Sequence, residues 1–182
     1  GKLTANRIAV DPSPMAVAID PARQIAVVTA LQSGGIGQSS FGVLDVIDLS
    51  VAVPVKNSSK SISGLTALPT GLAFDPVASL FYTTSSLSNA VYAFNPDTSL
   101  TTQIRVGENP TSIAYNPNSG ELLTVNSKSN TISVVDTQTF QTVASLGIGS
   151  QSQFAAAIHS RTNLAVIADQ TNNRLLLLPL PK

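Results

Sequence analysis

One short pattern occurs four times along this chain, and no other feature narrows the possible folds as sharply. Pro110, Ile113, Ala114, Tyr115, Asn116 and Pro117 are matched by Pro69, Leu72, Ala73, Phe74, Asp75 and Pro76, and again by Pro14, Val17, Ala18, Ile19, Asp20 and Pro21. A decayed copy holds Gln153, Ala156, Ala157, Ile158, His159 and Ser160. The copies start 55, 41 and 43 residues apart. A second landmark follows each in the same order, at Val43 to Asp48, Ala90 to Asn95, Thr131 to Asp136 and Arg174 to Pro179. A period of this length marks a supersecondary unit that cannot bury its apolar side alone and must stack on its neighbours.

The third unit is the cleanest. It reads as four short strands, Thr111 to Tyr115, Glu121 to Val125, Thr131 to Val135 and Gln141 to Leu146, each rich in apolar or β-branched residues and bounded by turn residues. The stretch from Asn116 to Gly120 closes its first hairpin, since Pro117 ends a ladder and Asn or Gly tolerates positive φ. Ile132 and Val134 lie on one side of the third strand and Val135 on the other, the pattern of a sheet covered on both faces. Helical repeats of similar period need apolar spacing of three and four over a dozen residues, and Pro and Gly interrupt this chain too often for that. The fold class is therefore all-β, a β-propeller with four blades of four-stranded antiparallel sheet, the repeats running approximately over 11–55, 66–106, 107–149 and 150–182 of one domain. The alanine common to the first strands (Ala18, Ala73, Ala114, Ala157) suits an innermost strand, where blades crowd the axis.

Composition excludes several functions. Lys plus Arg balance Asp plus Glu at ten each with no run of like charge, which removes the electrostatic case for nucleic acid or an anionic membrane surface. The longest apolar runs are too short for membrane insertion, and Gly1 to Val10 lacks the apolar core of a secretory signal. Without cysteine there is no disulfide framework, thiolate metal site or cysteine nucleophile. Charged residues are only 11% of the chain, so Ser, Thr, Asn and Gln must solvate it, a composition that points to an extracytoplasmic setting, periplasmic or secreted.

The units resemble the YVTN family of β-propeller repeats, which combine a Pro-x-x-Ile-Ala-x-x-Pro element, a Tyr-Val-Thr-Asn strand end and an Asn-Thr-Val-Ser-Val-Ile-Asp strand. Leu123, Thr124, Val125 and Asn126, then Asn130 through Asp136, stand at those positions; the other units drift to Tyr82–Ser85, Val27–Ala30 and Val166–Asp169. The resemblance covers nearly the whole chain and implies a fold without a particular reaction, because propellers host lactonases, lyases, electron-transfer subunits and binding modules.

The last unit ends after three strands, while Arg7 to Val10 reads as the fourth strand of some other blade. A closed four-blade ring, two copies forming eight blades, and a fragment of a longer chain are all compatible with that register. Blades apolar on both faces favour the latter two, with a homodimer or the remainder of a longer chain completing the ring.

Two insertions mark the expected working face at the mouth of the channel. The connection after Ala30 is eight residues longer in the first unit than in the third, and the stretch from Asp48 to Pro69, including Lys56 to Ser61, is six residues longer than its successor. Loops carry binding surfaces more often than scaffold strands do, although slack of this kind also costs little entropy. The candidate ligand or partner residues are Gln32, Ser33, Gln38, Ser39, Asn57, Ser58, Lys60, Glu108, Asn126 and Asp169. No catalytic residue, metal site or cofactor is read from the sequence. His159, the one histidine, occupies the turn position of Asp20, Asp75 and Asn116. Gly34 to Gly37 resembles a phosphate loop but no helix pattern follows. The expected function is non-catalytic binding through displayed loops, with a propeller lactonase or lyase, or a structural repeat of a larger surface protein, as alternatives.

Overall fold

A computed structural model of the chain describes residues 7–32, 41–66, 68–149 and 153–180. Fifteen strands form four antiparallel meanders. The first blade holds β1 (Ala16–Asp20), β2 (Ile25–Gln32), β3 (Phe41–Asp48) and β4 (Val55–Thr66); the second holds β5 (Leu72–Asp75), β6 (Leu80–Ser85), β7 (Ala90–Phe94) and β8 (Thr101–Arg105). The third holds β9 (Pro110–Asn116), β10 (Glu121–Asn126), β11 (Thr131–Asp136) and β12 (Gln141–Gly147), and the fourth β13 (Gln153–His159), β14 (Leu164–Asp169) and β15 (Arg174–Pro179). The expected strands of the third unit match within a residue at either end.

Turn chemistry explains the regular spacing. Asp20, Asp75 and Asp136 end their strands and Asn95 directly follows one, and each accepts at Oδ1 from the two backbone N–H groups two and three residues on, at 2.8–3.3 Å. Each such turn then passes through one left-handed residue. Gln24, Ser79, Gly120 and Asn163 fill that place between first and second strands, Asn89, Asn130 and Asn173 between second and third, and Ser99 and Phe140 between third and fourth. His159 does the same work by a different bond, its Nδ1 lying 2.7 Å from the Thr162 hydroxyl.

First strands pack side by side, β1 on β5, β5 on β9 and β9 on β13, so the blades fan out from an axis lined by these strands. Three apolar cores fill the wedges between successive blades. Val27, Leu44 and Val46 meet Phe81, Tyr92 and Phe94; Tyr82, Val91 and Ile104 meet Ile113, Leu122 and Val135; Leu123, Val125 and Ile132 meet Ala165 and Ile167. Polar groups tie the lower ends together. Arg23 donates to the Ser79 carbonyl at 2.8 Å and to Asp97 at 2.7 Å, and Asn116 Nδ2 donates to Asn163 Oδ1 at 2.8 Å. Burial opposes ionisation of Asp20, but the Arg23 hydrogen bonds and charge outweigh it and hold the carboxyl below its usual range.

No apolar core joins the fourth blade to the first among the described residues. The repeat makes the gap visible. Leu175 is 64% exposed where Leu44, Val91 and Ile132, at the same place in the other blades, are 0% exposed. On the opposite side of the array, Val17 is 63% exposed where its counterpart Ile113 is 7% exposed, and Ile19 is 54% exposed where its counterpart Tyr115 is half-buried. The four blades are thus an open arc, and the closed four-blade ring is excluded for the described residues.

One expectation needs correction. The stretch Lys56 to Ser61 is no loop; it belongs to β4, with Lys56 opposite Ile47 and Lys60 opposite Leu44, and it carries the first repeat on to Thr66 rather than to residue 55. An outermost strand is solvated on much of its surface and needs no apolar pattern, as β12, exposed along its whole length, also shows. The fourth blade has three strands among the described residues, as expected for the last unit. Arg7 to Val10 carries no strand pairing, although it leads into the first blade as Gln103 to Val106 leads into the third: the Asp11 N–H donates to Asp45 Oδ2 at 2.6 Å, and the Gly107 N–H donates to Ser133 Oγ at 3.2 Å in the matching place.

Candidate functional site

Connections between second and third strands, and from each fourth strand to the next blade, emerge at one end of the arc, called the upper end here. Gln32 ends β2, Asn126 ends β10 and Asp169 ends β14, all at that end, and Glu108 lies in the connection from β8 to β9 beside them. Ser33, Gln38 and Ser39 lie outside the described residues. Asn57, Ser58 and Lys60 are elsewhere, along the outer edge on β4. The upper end therefore collects four of the expected residues and parts them from the β4 group.

Two of those four are committed to the scaffold. Asp169 is buried, accepts from the Asn172 side chain at 3.0 Å and pairs with Arg174 at 2.8 Å. Asn126 is buried too, and its Nδ2 donates to Ser133 Oγ at 2.9 Å and Thr131 Oγ1 at 3.1 Å. Its Oδ1 has no partner among the described residues. The close approach of the crossing chain to this carboxamide requires glycine at 107: a Cβ there would lie 2.6 Å from Asn126 Nδ2, 2.6 Å from Ser129 Oγ and 2.7 Å from Thr131 Oγ1.

Glu108 is different, because it borders a cleft. Between the second and third blades, at the upper outer corner, a cavity of about 460 Å³ is lined by Asn89, Gln103, Arg105, Glu108, Ser129 and Ser145 among others. The Glu108 N–H donates to Ser129 Oγ at 3.0 Å, and its carboxylate pairs with Lys128 at 3.1 Å on the exposed side. Arg105 has no carboxylate partner among the described residues. The cleft thus presents one uncommitted cation among hydroxyls and amides, a donor set suited to a carboxylate or phosphate group on a polar molecule. Sequence reading passed over Arg105 and Gln103. Their signal was position: they precede Gly107 and Glu108 directly, and the repeat places that junction at the upper end.

A second polar cluster also escaped the sequence reading. Asp45 is fully buried on β3, where the other blades carry Tyr92, Ser133 and Leu176. The Ser59 hydroxyl lies between Asp45 and Asp11, 2.7 Å from Asp11 Oδ2, and Lys56 Nζ is 3.4 Å from each carboxylate. The Ser59 hydrogen bond first, then that shared with Asp45 and the Lys56 charge, hold Asp11 below its usual range. The four groups satisfy one another and fasten the crossing segment to the blade, a structural role.

No protein-family model and no curated protein matches the chain. Among solved structures, a chain of hydrazine synthase from Kuenenia stuttgartiensis superposes with a TM-score of 0.71 at 17% identity over 97% of this chain. This chain spans about half of that one, 51% of its length. At that identity the likeness is one of fold. Meander sheets, radial stacking and this neighbour together define an all-β propeller segment.

Proposed function

We propose that this chain is a non-catalytic binding segment of a YVTN-type propeller working outside the cytoplasm, and that it takes a small polar ligand with an anionic group in the cleft between the second and third blades. The observation that carries the reading is Arg105, a cation without a carboxylate partner among the described residues, at a cleft otherwise lined mainly by hydroxyls and amides. The YVTN assignment is supported by Leu123 to Asn126 and Asn130 to Asp136, and the location by the low charge. The cleft offers no histidine, and its one carboxylate is already paired with Lys128, so no acid and base stand ready to divide a proton transfer.

Thermal unfolding in the presence of citrate, glucuronate or inorganic phosphate tests the reading. At a hundred times its Kd a ligand adds about 2.7 kcal/mol, a rise in Tm on the order of 5–10 °C for a domain this size. At least one of the three is expected to raise Tm, and Arg105→Ala to lose that rise while unfolding normally without ligand. No rise with any of them, or an equal rise in the variant, contradicts the proposal.

A further inference from the structure

The two ends of the arc are the two halves of one junction. In each internal wedge, the face that a blade turns to its successor meets the face that the successor turns back. The fourth blade leaves the first kind of face open, with Leu175 and Leu177 exposed; the first blade leaves the second kind open, with Val17 and Ile19 exposed. The fourth blade also has a free edge at β15, for it has no fourth strand among the described residues.

Arg7 to Val10 is the strand that fits this edge. The paired bonds from Asp11 to Asp45 and from Gly107 to Ser133 fix the equivalence between Arg7–Val10 and Gln103–Val106. In the second blade Arg105 lies opposite Ala90 and Ile104 opposite Val91, with Ile104 buried in the wedge beyond. Transferred to the fourth blade, that register sets Ala9 opposite Arg174 and Ile8 opposite Leu175, placing Ile8 on the exposed apolar face.

We propose that two copies of this chain join head to tail into a ring of eight blades, each lending Arg7–Val10 as the outer strand of the other's fourth blade. The open faces then cover one another twice over by the same operation, which closes the assembly at two copies and leaves no edge for a third. Eight blades lie within the range that closed propellers adopt, and the similar solved chain is about twice as long as this one.

Light scattering behind a sizing column should give twice the 18.8 kDa of the chain. Ile8→Asp with Leu175→Asp should give a monomer with an unchanged β-rich circular dichroism spectrum, both sites lying outside the three cores. Because the chain has no cysteine, Ile8→Cys with Leu175→Cys offers an independent reading that needs no disruption. Directly opposed positions of antiparallel strands approach within disulfide reach, so oxidation should link two chains into one band that reduction returns to the monomer. A wild-type monomer, masses above two copies, or a double-cysteine variant that never cross-links would each overturn the proposal, the first meaning that further blades of a longer chain occupy these faces.

Discussion

Phe81→Ala should lower the unfolding free energy by about 3–5 kcal/mol, seen as a shift in the urea midpoint with little change in slope. Phe81 is fully buried on β6 and faces the wedge between the first and second blades, where it meets the Phe74 ring at 4.8 Å between centroids. Deleting the ring removes its transfer energy and leaves a cavity that cannot collapse, because both walls are sheets held by their own ladders. Val77→Ala is the comparison. Val77 is 84% exposed in a lower turn, and its truncation should stay within about 0.5 kcal/mol. Equal effects at the two positions would mean that the first wedge is not packed as described.

Gly107→Ala should be nearly as damaging for the opposite reason, since a methyl group is added where none fits. The three atoms it would strike belong to short side chains joined by hydrogen bonds, Asn126 to Thr131 and Ser129 to Thr131, so they cannot swing aside without breaking that set. A loss of about 1–3 kcal/mol follows. The repeat supplies the control. In the first blade, Asp11 occupies the place of Gly107, and the residue at the place of Asn126 is the small Ala30. Gly107→Ala with Asn126→Ala should therefore cost less than the sum of the two single changes, measured as a double-mutant cycle. Strict additivity would show that the two residues do not compete for the same space.

What the sequence revealed of this architecture, and what it hid, follow from where physics leaves a periodic mark. Strands β9 to β11 were legible because inner strands and wedge faces demand apolar residues and each Asn or Asp turn repeats a local bond. β4 was hidden because an outer strand can be written in Lys, Asn and Ser, the letters of a loop. The upper-end candidates divided for a related reason. Asn126 and Asp169 look like ligands from sequence, but an amide or carboxylate at a strand end also serves as a turn anchor, and only the partners Ser133 and Arg174 reveal the second use. Likewise the Asp11, Asp45 and Ser59 cluster joins positions up to 48 residues apart and leaves no local pattern at all.

Stability, the upper cleft and the two-copy ring all rest on blades stacked as wedges around one axis. Nuclear Overhauser contacts on methyl-labelled protein test that arrangement directly: the methyls of Val27, Leu44 and Val46 in the first blade should show cross-peaks to the rings of Phe81, Tyr92 and Phe94 in the second. Cross-peaks confined within each meander, with none joining one blade to the next, would contradict it.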